Sequence, residues 1–301
     1  MTQCACLIFT PTAGQSDTEQ DLEAIQGILL PKLQLDIRLT TLEVKADKLA
    51  REAVEQGFNP IIASGGDGTV SAVAGALIGT NITFGVIPRG TANAFATSLG
   101  IPTTIEEACE TILYGNPRVI DAAFCNGKPM ITLAGIGFEA DATEKADRNA
   151  KEFLGVFAYV IADVQELSKG VRSFKTYLEA DEQVFTFDAA AVTIANAAPI
   201  FSIFAQGPAE VVVDDGLLDV TIVAPANVLD AIASGIELFQ TAMRGTAVER
   251  PDTAYLQAKH IKVTTEPPQK VVLDGELMDM NPVEVECIPG GLTVLVPATR
   301  A

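Results

Sequence analysis

A short apolar run, Pro60-Ile61-Ile62-Ala63-Ser64, breaks at Gly65-Gly66-Asp67-Gly68-Thr69 and resumes as a helical pattern reaching about Gly79. A buried strand that turns through glycine into a helix is the opening of a β-α-β unit, the crossover that parallel strands require. The same grammar recurs on both sides. Cys4 to Thr10 is an apolar strand, Ser16-Asp17-Thr18-Glu19 reads as a capping box for an amphipathic helix to about Leu30, and Leu33 to Thr41 alternates like a half-buried strand. A helix from about Ala46 to Gln56 precedes the glycine string. Ile82 to Ile87 is strand-like again, and Pro88-Arg89-Gly90-Thr91-Ala92-Asn93 turns into a further helix. This alternation predicts a mostly parallel sheet with helices on both faces.

The second half reads differently. A long helix is expected between Glu139 and Ser168, and strands at Arg172 to Ala180, Val184 to Ala195, Ala209 to Val213, Leu217 to Val223, His260 to Thr265, Lys270 to Leu273, Val283 to Ile288 and Leu292 to Val296. One helix, about Asn227 to Met243, interrupts them. The pattern is that of an all-β sandwich following an α/β domain, with the boundary near Asp121 to Cys125. The expected domains are therefore 1–123 and 124–294.

Charge narrows the partners. With 20 Lys and Arg against 39 Asp and Glu the net charge is −19. Nucleic-acid affinity comes mainly from basic side chains on phosphates, so no nucleic-acid partner is expected. Simple electrostatic docking on an anionic membrane is disfavoured too. One histidine, His260, leaves a carboxylate as the expected general base. Five scattered cysteines without metal-ligand spacing fit a reducing cytoplasm. No run of 18 apolar residues suggests a membrane span, and no basic leader precedes the first strand.

Two glycine-bearing turns in successive β-α-β units should meet at the strands' C-terminal edge, where open α/β sheets bind ligands. Glycines permit close backbone approach, and a helix N-terminus offers N–H groups to an anion. Asp67 inside such a loop makes sense if a divalent cation separates it from phosphate; it could equally be an N-cap. Arg89, Thr91 and Asn93 could contact phosphate or base, or Thr91 and Asn93 could only cap a helix. The Walker spacing is missing, which excludes a P-loop enzyme. Asp274-Gly275 between apolar residues is a hairpin signal, compatible with a carboxylate aimed from the hairpin tip. Asp214-Asp215-Gly216-Leu217-Leu218-Asp219 is a turn into a strand or a cation site.

Five strings in order, Gly-Gly-Asp-Gly-Thr at 65–69, Pro-Arg-Gly-Thr-Ala-Asn at 88–93, Gly-Ile-Gly-Phe-Glu at 135–139, Asp-Gly-Leu-Leu-Asp at 215–219 and Asp-Gly-Glu at 274–276, resemble the bacterial soluble lipid kinases. These share the diacylglycerol kinase catalytic domain and are related to sphingosine and ceramide kinases. The resemblance implies a phosphofructokinase- and NAD-kinase-like α/β domain plus a β-sandwich, with the last strand, 295–301, rejoining the first domain. It implies an ATP- and Mg2+-dependent kinase acting on a lipid hydroxyl of diacylglycerol, phosphatidylglycerol or a sphingoid-like lipid. Thr10, Gly65, Gly66, Gly68, Thr69, Arg89, Gly90, Thr91, Asn93 and Glu276 are then nucleotide-site residues. Asp67 belongs to the catalytic magnesium network and Asp274 is the general base. Asp215 and the Leu217 carbonyl match a structural magnesium site, with Asp214 as a substitute third ligand.

The chain departs from the pattern at Thr10, where Asn is usual, at Ala94, where many diacylglycerol kinases have Asp, and at Val212 and Val213, which offer no polar side chain to the metal. A small-molecule kinase of the NAD-kinase type and a non-catalytic lipid-binding protein are the alternatives. A cytoplasmic enzyme peripherally attached to the inner face of a membrane, through apolar groups around Phe201 to Phe204 or Leu229 to Phe239, follows from the acidity. Oligomeric state is open, a homodimer included.

Overall fold

The structure, a computed structural model, describes residues 4–14, 17–137, 173–198, 211–225 and 250–298, with isolated positions at 140, 202, 205, 237, 240, 241, 244 and 246. The expected helices at 139–168 and 227–243 fall wholly or almost wholly outside these residues. The chain forms two compact units, Met1–Ala122 with Pro289–Ala301, and Ala123–Ile288. The return to the first unit thus begins at Pro289, ahead of the expected 295.

The first unit alternates β1 (Cys4–Phe9), α1 (Thr18–Leu29), β2 (Gln34–Leu39), α2 (Ala46–Glu55), β3 (Ile61–Gly65), α3 (Asp67–Leu77), β4 (Thr83–Pro88), α4 (Ala94–Ser98) and α5 (Ile105–Tyr114). Its strands pair in parallel in the order β2-β1-β3-β4, and the C-terminal part of the last strand joins β4 at Thr293 and Val294. The order reverses between β1 and β3, the switch point where such sheets leave a crevice. β1, β3 and β4 are almost wholly buried, because helices cover both faces. The cap of α1 is Asp17, whose carboxylate accepts from the Glu19 and Gln20 amides. Helix α5 is additional to the expected elements, although the sequence has a capping-box pattern at its start: the Thr104 hydroxyl accepts from the Glu107 amide and donates to the Glu107 carboxylate.

In the second unit and the strands that lead into and out of it, β5 (Asn116–Cys125), β6 (Lys128–Met130), β7 (Leu133–Gly137), β8 (Phe174–Ala180), β9 (Gln183–Ala189), β10 (Ala191–Ala195), β11 (Leu218–Val223), β12 (Thr253–Ala258), β13 (His260–Glu266), β14 (Val271–Leu273), β15 (Glu276–Met278) and β16 (Val283–Val296) follow. One sheet runs β12-β11-β10-β7-β14-β15 and the facing layer β16-β13-β8-β9, all antiparallel here. Ile136, Val192, Val220 and Val271 from the first meet Phe174, Leu178, Ile261 and Val285 from the second in one core. This is a sandwich.

Three expectations are corrected by packing. The strand expected at 184–195 divides at Ala190, where the chain leaves one sheet for the other and the Ala190 amide donates to the Val223 carbonyl. Residues 211–213 form no strand, because the turn through Asp214-Asp215-Gly216 (Gly216 φ 78°) begins there. The strands expected at 283–288 and 292–296 are one, β16, carried through Gly290 (φ 62°), whose amide donates to buried Asp121.

Candidate functional site

The first unit brings the two glycine turns together by strand register. Gly65 pairs with Pro88, so the loops after β3 and β4 begin side by side, and the Arg89 amide donates to the Gly65 carbonyl at 2.7 Å. A Cβ on Gly90 would lie 2.8 Å from the Gly66 Cα, and one on Gly65 only 2.5 Å from Thr69 Oγ1. The glycines are there for space, Gly90 against the Gly66 backbone and Gly65 against the Thr69 side chain, not for positive φ.

Asn93 closes the second loop. Its backbone is left-handed (φ 48°), its side-chain oxygen accepts from the Gly90 amide, and its side-chain nitrogen donates to the Gly90 carbonyl. A short side chain that donates and accepts while tolerating this conformation is an asparagine's specialty. Thr91 is exposed at the loop tip.

Asp67 is the first residue of α3, not its cap. One carboxylate oxygen accepts from the Asn93 amide at 2.9 Å and the other from the Ala94 amide at 2.6 Å, so it caps the next helix and ties the two loops together. Burial pushes its carboxyl above the ordinary aspartate range, and these backbone hydrogen bonds oppose the shift. Helix α3 itself is left with Gly66 as N-cap and no side-chain cap. With no side chain capping it, the N-terminus of α3 suits a phosphate, and Asp67 is turned toward α4 instead.

Around this edge, Thr10 follows β1 and its hydroxyl accepts from Thr69 (2.9 Å) and Thr40 (3.2 Å). Thr40 carried no motif in the sequence; only its place at the end of β2 marks it. Arg89 is buried, with Nε on Asp21 (2.8 Å), Nη1 on the Thr10 carbonyl (3.1 Å) and its plane over the Phe9 ring at 4.2 Å.

In the second unit, Asp274 and Gly275 form the two-residue turn between β14 and β15, with φ 46° and 88°. Two positive φ values identify a hairpin of type I′, as Asp-Gly favours. The Asp274 carboxylate, half-buried, accepts from the amides of Ile131 (3.0 Å), Thr132 (2.9 Å) and Leu133 (3.2 Å) and from the Thr132 hydroxyl (2.6 Å). Buried Asn196 also holds this loop, donating to the Ile131 carbonyl. No local signal marks 131–133 as a carboxylate holder. Glu276, the first residue of β15, is exposed.

The acidic turn sits elsewhere in this unit. Asp215 accepts from the Leu217 amide (3.0 Å) and from Gln257 (3.1 Å), whose side chain also donates to Asp219 (3.0 Å). Asp219 is buried, receives the Tyr255 hydroxyl at 2.6 Å, and has one oxygen without a partner. Burial raises its carboxyl to about 6. Asp214 is exposed. Among the described residues no three His, Cys, Asp or Glu side chains gather as a metal cage. An ion at Asp215 would therefore need carbonyls and water, which suits magnesium.

With this geometry in hand, two family models match the chain: the diacylglycerol kinase catalytic domain over residues 4–125, and the YegS C-terminal NAD kinase beta sandwich-like domain over 132–296. A diacylglycerol kinase of Bacillus subtilis (strain 168) is 30% identical over 99% of this chain and 97% of its own. An uncharacterized protein of Synechocystis sp. is 45% identical over 100% of this chain and 72% of its own. A crystal structure of a diacylglycerol kinase from Bacillus anthracis str. Sterne superposes with a TM-score of 0.76 at 26% identity, covering 99% of this chain and 98% of that one.

Proposed function

The chain belongs to the diacylglycerol kinase catalytic-domain family of lipid kinases, and from that premise we propose that it transfers the γ-phosphoryl group of ATP to a lipid hydroxyl. The observation that carries this reading is the uncapped N-terminus of α3 beside the second glycine loop, at the switch point of a parallel sheet. ATP supplies the phosphoryl group, and Mg2+ neutralises its developing charge when bound. Backbone N–H groups of the Gly65 to Thr69 turn hold phosphate oxygens, with the Thr10, Thr69 and Thr91 hydroxyls beside them. Asp67 keeps the loops in register, and its carboxylate would help to hold the cation.

Asp274 orients the lipid hydroxyl and accepts its proton. Its four donors fix the carboxylate's direction, which a general base requires more than bulk. Asp215, the Leu217 carbonyl and Asp214 are the proposed holders of a structural magnesium, and Glu276 a proposed nucleotide contact. The enzyme reaches its lipid peripherally from the cytoplasmic side; no helix among the described residues is long and apolar enough to cross a membrane. The apolar stretches proposed for that contact lie almost wholly outside the described residues.

The test is incubation with γ-labelled ATP, Mg2+ and separate mixed micelles of diacylglycerol, phosphatidylglycerol, sphingosine and ceramide, with NAD as a soluble acceptor. Label in one lipid, lost with Asp274→Asn, is the expected result and names the substrate. Label in NAD alone would transfer the assignment to a small-molecule kinase, the reading that the sandwich's likeness to NAD kinase also fits.

A further inference from the structure

Arg89 stands in the second glycine loop, yet its side chain turns away from the loop into the sheet. It bridges two structural elements: α1 through Asp21, and the end of β1 through the Thr10 carbonyl and the face of Phe9. Its own backbone amide binds the end of β3 at Gly65. The ion pair with Asp21 leaves the arginine side chain 2% and the aspartate side chain 10% exposed.

An arginine that grips phosphate presents its planar fork to the ligand. Here two nitrogens of the fork are engaged inside the protein and one face is covered by a ring. Nη2 has no partner and no access to solvent. Asp21 moreover supplies the negative charge that a phosphate would otherwise supply. The Thr10 carbonyl held by Nη1 belongs to the residue whose hydroxyl receives Thr69 of the first glycine turn. A displacement of Arg89 would thus move Thr10, and with it the contact between the β1 and β3 loops.

We propose that Asp21 is a positioning residue of the nucleotide site: it holds Arg89 on the Thr10 carbonyl, and the pair locks the loop after β1 against the two glycine loops. This rests on the reading that those loops bind ATP. Arg89 is then a strut of the site rather than a phosphate ligand. The two roles make opposite predictions for Asp21. If Arg89 were a ligand, removing its internal anion would release it to phosphate and tighten ATP binding. If it is a strut, the same change loosens Thr10 and weakens binding.

Fluorescent ATP titrated into the full chain with Mg2+ decides between them. Asp21→Asn and Arg89→Met are each expected to weaken binding at least about tenfold. The double variant should be no weaker than the worse single one, because the residues act as one unit. A further expectation is a raised KM for ATP with kcat at saturation unchanged. Tighter or unchanged binding by folded Asp21→Asn overturns the proposal, even if its melting temperature falls, since a purely structural pair would move only the melt. Absence of binding by the unaltered chain would overturn the nucleotide reading and this inference with it. Should the variants fail to fold, the Arg89 Nε–H resonance of the unaltered protein serves instead: it should keep its shift when ATP is added, and a large movement would sink the strut.

Discussion

Asp67 and Asp274 are held by the same device in two different architectures. Each carboxylate takes backbone N–H groups from a segment remote in sequence, 93–94 for Asp67 and 131–133 for Asp274. Their glycines differ in purpose. In the parallel unit Gly90 gives room for the neighbouring loop at Gly66 and Gly65 for the Thr69 side chain, and a Cβ on either would strike an atom within 3 Å. In the hairpin Gly275 gives only a backbone angle, φ 88°, and a methyl added there would meet nothing within 4 Å. A site assembled from loops of separate strands depends on close approach; a site on a hairpin tip depends on the turn and on what its side chain binds.

The comparison can be broken hardest at Asp274. Asp274→Asn should lower phosphoryl transfer by about 10²–10⁴-fold, the worth of a general base, with ATP affinity unchanged. Equal losses in transfer and ATP binding would make the residue a scaffold only. The two kinds of glycine separate next. Gly90→Ala should destabilise by about 3 kcal/mol and abolish ATP binding, since the methyl meets backbone. Gly275→Ala should cost only about 1 kcal/mol, from strain alone. Urea unfolding of both variants checks this, and equal costs would erase the distinction.

Acid provides a third handle, in which both units respond alike. Burial raises Asp219 from 3.8 to about 6, and raises Asp67 in the same direction. A carboxyl raised on folding binds more protons in the native state, so its contribution is full below the unfolded value and is lost as pH rises through the folded one. For Asp219 this amounts to on the order of 3 kcal/mol lost between about pH 4 and pH 6. Urea midpoints across that window should fall with pH, and less steeply in Asp219→Asn, where the Asp67 part remains. A small effect, comparable to that of Gly275→Ala, is expected at Thr10→Val, which strips an acceptor from Thr69 and Thr40 at about 1 kcal/mol. A melting curve indistinguishable from the unaltered chain would show that the threonine contacts are replaced by water.

Much of this architecture is legible in the chain because it is written locally. Glycine turns after apolar strands announce the parallel unit, and Asp274-Gly275 announces its hairpin. The pieces that escape such a reading lack local signatures. The break at Ala190 depends on which sheet claims each half of one β-prone run, and no turn residue marks the division. Thr40, Asp21 and the 131–133 loop are ordinary residues until a partner dozens of positions away reaches them. Helix α5 is the exception, since its capping box stands in the sequence.

By itself the sequence determined the strand–helix alternation, the change to antiparallel strands and the two glycine loops, because propensity, turn chemistry and apolar period act over a few residues. Only the tertiary structure decided what the polar side chains of those loops hold. It turned Asp67 to the next helix, Arg89 inward to Asp21, and Asp274 onto three consecutive amides. Hydrogen-bond partners are chosen by distance in space, and chain order does not carry that distance.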